Sequence, residues 1–378
     1  MKSRVSNIEL LKVIAVFFIL LSHSTPRYGL LYPFNGVLPD GNVSYVIDPN
    51  VASLDLHNLI IQYLTSFGQI GNALFVICSS WFLYETGRVK RSKVWFLISS
   101  TFLISISSYG FLKCLGFNYD VSALLYSIFP IATYNNWFVC CYLIFYLINP
   151  TLKTVADSLN QRRSLIFIIL GLYAFSLWNM IFPSAFLYFQ LVQFILIYFI
   201  VVYFKRFVKL ERFTSNKALI CSLIGFVGLF MHTVIINAVS VNIFHITIQQ
   251  NSLSPWILII CFSSFFFFLH LKLRSNIVNF LSSLSLLVYL IDENYAVRST
   301  LKPYFWYIYQ WGGIHSSCIN MIAQIVLFTF FSLTVCIVLA TLYKFTDRFV
   351  ISKICRLLDK FFVSVYLRIE KTLVGKGQ

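Results

Sequence analysis

Long apolar runs, separated by short clusters of charged residues, Gly, Pro or Asn, recur along the chain from residue 8 onward. A bilayer core needs about 20 apolar residues at helical rise. Ten runs are about long enough: 8–24, 62–84, 93–112, 135–156, 164–182, 185–204, 217–238, 255–273, 278–297 and 320–343. A further stretch, Val121 to Thr133, is too short to cross and contains Pro130, so it is expected to be re-entrant or interfacial. From Lys344 the pattern changes. Arg348, Lys353, Arg356 and Lys360 are set among Phe, Ile, Leu and Val, which suits an amphipathic helix on an anionic membrane surface. The expected fold is an all-α, polytopic transmembrane bundle of about ten spans over 1–343, with a basic cytoplasmic tail over 344–378. No internal repeat is visible.

Composition strengthens this picture. Hydrophobic residues make up 59% of the chain and charged residues 11%, against about 45–50% and about 25% in ordinary soluble domains. A water-soluble globule is thereby excluded, and 40 Phe with 22 Tyr exclude a disordered chain. The net charge of +16 would suggest nucleic acid in a soluble protein. In a membrane protein it reflects Lys and Arg collecting in cytoplasmic loops, so no nucleic-acid partner is expected. With the N-terminus inside and ten spans, 25 of the 29 basic residues lie on the inner side; Arg27, Lys113, Arg298 and Lys302 are the exceptions. Both termini are therefore expected in the cytoplasm. The run from Ile8 to Leu21 is read as a retained first helix, because Glu9 and Lys12 interrupt its start and no small-residue cleavage site follows. The nine cysteines form no ligand spacing, and neither do His57, His232, His245, His270 and His315, so no metal site is expected.

Three places carry candidate chemistry. On the first helix, Lys12 and His23 lie eleven residues apart, about 20° from sharing a face and about 16 Å apart along the axis, with Glu9 about 60° to one side. Ionisable groups inside a membrane normally face a bundle interior or a water cavity. Taken singly, Lys12 also reads as a snorkelling boundary residue beside Glu9, and His23 as an interfacial hydrogen-bonding residue. On the ninth span, Ser282, Ser285, Tyr289 and Asp292 share one stripe, with Glu293 beside it. One of the two carboxylates is expected to orient and charge His23; a structural pair with Arg298 or Lys302 is the alternative. Arg88, Lys90, Arg91 and Lys93 crowd the loop after the second span, either as plain inner-side charge or as an anion contact. Trp137 is a belt or core aromatic, or a platform for a sugar ring.

Glu9-x-x-Lys12, then ten residues, then His23, resembles the opening of acyltransferase family 3, the integral-membrane O-acyltransferases of surface polysaccharides. Three further segments fit in order. Gly71 to Leu83 is similar to the family's second-helix stretch, Asn136 to Pro150 to its Trp-Phe…Tyr-Leu…Pro helix, and Ser282 to Asn294 to its late Ser…Tyr-Leu-Ile-His-Glu/Asp-Asn segment. The chain departs from the pattern at Lys12, where Arg is commoner, at Ser79-Ser80 in place of Ser-Gly, and at Asp292 in place of His. The resemblance implies a multi-pass enzyme of the cell (inner, cytoplasmic) membrane. It would move an acyl group, acetyl foremost, from cytosolic acetyl-CoA to a hydroxyl of a glycan or lipid-linked saccharide.

In that reading His23 is the general base, supported by Asp292 or Glu293, with Glu9 beside them in the catalytic set. Lys12, Arg88, Lys90 and Arg91 contact the donor, and Trp137 and Tyr289 the acceptor. Membrane lipid and polysaccharide-assembly proteins are the implied partners, since the tail leaves no room for the extracytoplasmic domain some family members carry. A polysaccharide-unit flippase or exporter is the rival reading, and would more often show twelve or more spans and a repeat. A glycan polymerase is a second rival. It would be expected to carry a large outer loop rich in Arg and His, whereas residues 25–58 hold one of each.

Overall fold

The computed structural model describes residues 6–25, 54–116, 121–133, 136–177, 189–239, 251–294, 297–298 and 317–346, with single residues between 353 and 364. Among these the regular structure is helical, without strands. In chain order the helices are α1 (Ser6–His23), α2 (Leu56–Thr65), α3 (Phe67–Thr86), α4 (Arg91–Cys114), α5 (Val121–Ile128) and α6 (Trp137–Ser158). They continue with α7 (Gln161–Leu172), α8 (Phe189–Phe207), α9 (Ser215–Val239), α10 (Pro255–His270), α11 (Asn276–Asp292) and α12 (Cys318–Thr346).

Among the described residues, seven segments are long and apolar enough to cross a membrane: α1, α2 with α3, α4, α6, α8, α9 and α12. Three expected spans are shorter as helices. α10 and α11 have 16 and 17 residues, and the 12-residue α7 runs into a π-helical turn at Tyr173–Leu177. The run expected at 62–84 starts earlier, at Leu56, where the Asp55 side chain accepts the Asn58 N–H and caps the helix. Ser66 separates α2 from α3 yet keeps right-handed dihedrals (φ −64°, ψ −18°), so the apolar pattern does not register the break. The run expected at 278–297 stops at Asp292, because Glu293 leaves helical geometry as its C-cap. The Val121 stretch is an eight-residue helix, too short to cross. The amphipathic tail falls almost wholly outside the described residues, although Asp359 accepts the Trp95 Nε1–H at 3.2 Å at the start of α4.

α1 is the centre of the bundle. Of its residues 56% are buried, against 22% in the most apolar stretch of α9, whose Leu223, Ile224 and Val227 face outward. With lipid as solvent, helices associate through close packing and interhelical hydrogen bonds rather than through apolar burial. Both devices surround α1. Its Asn7 amide donates to the carbonyls of Phe268 (2.8 Å) and Leu271 (3.0 Å), satisfying the C-terminal end of α10. Gln62 on α2 and Asn237 on α9 exchange two amide bonds of 3.1 and 2.7 Å.

Gly71 lets α3 press against α1. A Cβ there would stand 2.4 Å from the Ala15 carbonyl oxygen and 2.7 Å from Ile19 Cγ1. Gly71→Ala is therefore expected to cost about 1–3 kcal/mol through overpacking. Gly110→Ala on α4, with nothing within 4 Å of the added Cβ, should be neutral or slightly stabilising through helix propensity. Thermal unfolding in detergent measures both, and equal midpoints would remove the tight crossing from this account.

Candidate active site

Two stripes of polar residues face each other where α1 meets α11. Glu9 and His23 lie 14 residues apart on α1, about 21 Å along the axis, and Ser282 and Asp292 occupy the matching ends on α11. The Ser282 hydroxyl donates to Glu9 Oε2 at one end, and His23 meets Asp292 at the other, so the two helices run parallel. The stripes form because residues three, four and seven apart share a helix face, and Ser282 with Glu9 and Asp292 with His23 pair across the seam instead of facing lipid.

At the C-terminal ends of both helices, His23 Nδ1 lies 2.7 Å from Asp292 Oδ2 and 3.4 Å from Glu293 Oε2. The Asp292 side chain is wholly buried and that of His23 is 11% exposed. Ser332 on α12 donates to the second oxygen of Asp292 at 3.4 Å. Glu293 accepts from Arg298 Nη1 at 2.6 Å, and both are buried. The two adjacent carboxylates thus divide the alternatives drawn from the sequence: Asp292 takes His23 and Glu293 takes Arg298. Arg298, counted from the sequence among the outer charges, is buried; Lys302 lies outside the described residues.

His23, Asp292 and Glu293 each bring a ligand-type atom within 4.8 Å of the others. The Arg298 guanidinium opposes a cation there, and a 2.7 Å approach is that of a charge-assisted hydrogen bond. A ring whose Nδ1–H points at a carboxylate carries its lone pair on Nε2, and the carboxylate stabilises the imidazolium that forms when Nε2 takes a proton. Such a pair is chemically able to take a proton. One helical turn before Asp292, Tyr289 is buried, its ring 5.2 Å from that of Phe138, and its hydroxyl has no hydrogen-bond partner among the described residues. Trp137 is half-buried beside Phe138, with centroids 5.7 Å apart.

The N-terminal end of the seam is a second polar cluster. Lys12 Nζ pairs with Glu9 Oε1 at 3.2 Å and lies over the Phe82 ring. It lines a cavity of about 180 Å³. Glu9 belongs to this cluster and does not meet His23. Arg88, Lys90 and Arg91 are exposed and do not line the cavity; the Arg91 side chain lies 3.7 Å from Asp359. Lys93, from the same basic loop, does line it. Chain spacing does not show which of four neighbouring cations α4 turns inward, and the only hint was that Lys93 starts the apolar run. Of the histidines given no role from the sequence, His270 binds the Phe266 carbonyl and His57 lies near Asp55, while His245 and His315 lie outside the described residues.

The geometry describes a helical membrane protein with a buried imidazole–carboxylate pair where two of its helices meet. Residues 5–341 match the model of acyltransferase family 3, described as an acyltransferase domain, and the chain belongs to that family. No curated protein and no solved structure matches the chain.

Proposed function

We propose that the protein is a cell-membrane O-acyltransferase that takes an acyl group, acetyl foremost, from a cytosolic coenzyme A thioester. The acceptor is a hydroxyl of a cell-surface or lipid-linked glycan. The observation that carries this reading is the buried His23–Asp292 pair in a chain of the acyltransferase family. Asp292 holds the Nδ1–H. Nε2 takes the proton of the acceptor hydroxyl as its oxygen attacks the thioester carbonyl carbon. The C–S bond then breaks, and the imidazolium returns the proton to the departing thiolate, leaving an ester and a free thiol. Attack by Nε2 itself, giving an acyl-imidazole that the acceptor then opens, is the two-step variant of the same geometry. Tyr289 and Trp137 are the acceptor contacts in this reading. A buried phenol without a partner costs about 1–3 kcal/mol, which supports a substrate oxygen as its missing acceptor.

In the same proposal the chain crosses ten times with both termini in the cytoplasm. Parallel running of α1 and α11 supports this, because it requires an odd number of crossings between them. Counting α2 with α3 as one crossing, then α4, α6, α7, α8, α9 and α10, supplies an odd number. The donor then enters at the Lys12 end and the transfer occurs toward the opposite face.

Nuclear magnetic resonance of surface glycan from deletion and complemented strains tests the reading. O-acyl signals should vanish on deletion and return with the gene, and unchanged acylation would favour a flippase or polymerase. Lys12 is placed on the donor side, where positive charge matters more than shape. Lys12→Arg should keep most transfer in membrane vesicles supplied with labelled acetyl-CoA, and Lys12→Glu should lose it; equal loss in both would assign Lys12 to packing.

A further inference from the structure

Buried asparagines of this bundle commonly reach across to another helix, as the amides of Asn7, Asn149 and Asn237 do. Asn72 and Asn136 do not. Asn72 stands in the apolar run of α3 at 7% exposure, and its Oδ1 is enclosed without a hydrogen-bond partner among the described residues. Asn136 is 1% exposed, and its Oδ1 is likewise unpartnered. It is the N-cap of α6, where an asparagine ordinarily accepts an N–H of the first turn, yet its side chain makes no such bond. Tyr289 is the third group of this kind. Gly71 is packed on Ala15 and Ile19 of α1. Its neighbour Asn72 therefore lies about one helical turn inward of His23, as Tyr289 lies one turn inward of Asp292. One turn on from Asn72, the Phe75 ring meets that of Phe138 at 5.9 Å, and Phe138, two residues after Asn136, meets Tyr289 at 5.2 Å. Three helices thus each place an unpaired polar group within about one turn of the same group of touching rings. Such groups are costly where neither water nor lipid can bond them, and a polar ligand would complete all three.

We infer that Asn72 and Asn136, with Tyr289, form the seat of an uncharged sugar ring of the acceptor; this rests on the glycan-acceptor reading above and names the binding site and the class of sugar. A carboxamide carries both a donor and an acceptor, so each asparagine can accept from one ring hydroxyl and donate to the next. The Tyr289 phenol can also do both. Trp137, half-buried beside Phe138, offers the apolar face of the sugar an aromatic surface. All the groups of the seat are neutral. An acidic sugar would call for a cation, and the buried guanidinium on this side of the seam, that of Arg298, already meets Glu293 at 2.6 Å. Held one turn inward of the imidazole, the ring keeps a further hydroxyl for His23.

The test uses the purified full chain in detergent with labelled acetyl-CoA. The acceptor is a glycan extract of deletion-strain membranes, supplied in varied amounts. Asn72→Leu and Asn136→Leu should each raise the KM for the extract about three- to tenfold, the worth of a neutral hydrogen bond, and leave the KM for acetyl-CoA unchanged. Neither substitution removes a side-chain hydrogen bond seen among the described residues. Asn72→Leu should therefore unfold at the same temperature as wild type or higher, because it replaces an unpaired buried amide by an apolar group of similar size. Nuclear magnetic resonance of the wild-type product should find the acyl group on a neutral sugar. An unchanged KM for the extract in both variants, a raised KM for acetyl-CoA instead, or a loss of stability in Asn72→Leu would overturn the seat while the glycan-acceptor reading stands. An acyl group on an acidic sugar would overturn the class of sugar. If wild type transfers no label to the extract, the glycan-acceptor reading fails and the seat falls with it.

Discussion

Acyl transfer should fall by about 10²- to 10⁴-fold when His23 is replaced, the range that a positioned acid–base group supplies. Asp292 is wholly enclosed and meets His23 at 2.7 Å, so truncating the ring in His23→Ala strands a carboxylate, and breaking a buried pair costs about 3–5 kcal/mol. That loss could lower membrane abundance and imitate a catalytic defect. His23→Gln separates the two effects, because its amide still offers a donor to Asp292 but has no basic nitrogen. Both variants should be inactive in vesicles supplied with labelled acetyl-CoA, and His23→Gln should accumulate to near wild-type level. Near-normal transfer by His23→Gln at equal abundance would dismiss both the general-base and the acyl-imidazole mechanisms.

The seam that holds this centre was largely legible before any coordinates. The eleven-residue spacing of Lys12 and His23 put both on one face of α1, and Ser282, Tyr289 and Asp292 formed a matching stripe on α11. A membrane makes such patterns easy to read, because each polar group in an apolar run needs a partner. What spacing could not supply was rotation and pairing. Asp292 and Glu293 are adjacent, and only the exit from helical geometry at Glu293 turns one toward His23 and the other toward Arg298. Glu9, grouped with the catalytic residues, instead ties Lys12 to Ser282 far from His23. The inward turn of Lys93, and not of Arg88 or Arg91, depends on where α4 begins against α6. Helix lengths were blurred for a related reason: hydropathy continues through Ser66 and past Asp292, where backbone geometry changes but apolarity does not.

Asp292 is one of three places where the chain departs from the pattern it resembles, and its replacement should have the second-largest effect. A carboxylate accepts the Nδ1–H and stabilises the imidazolium; an amide in its place presents an NH2 as readily as an oxygen and adds no charge. Asp292→Asn should therefore lower turnover by at least about tenfold with little change in the apparent affinity for the acyl donor, whose proposed entry is at the other end of the seam. Asp292→His should retain more activity than Asp292→Asn. A neutral imidazole at 292 can accept the Nδ1–H on its own unprotonated nitrogen, whereas in both variants Glu293 Oε2, 3.4 Å from Nδ1, stays engaged through its other oxygen with Arg298. Glu293→Gln should in contrast act mainly on stability, since it leaves the buried Arg298 guanidinium without its counter-charge. Steady-state kinetics in vesicles with abundance measured in parallel distinguishes these outcomes. A fully active Asp292→Asn beside an inactive, normally abundant Glu293→Gln would transfer the supporting role to Glu293, and full activity in both would make the pair structural.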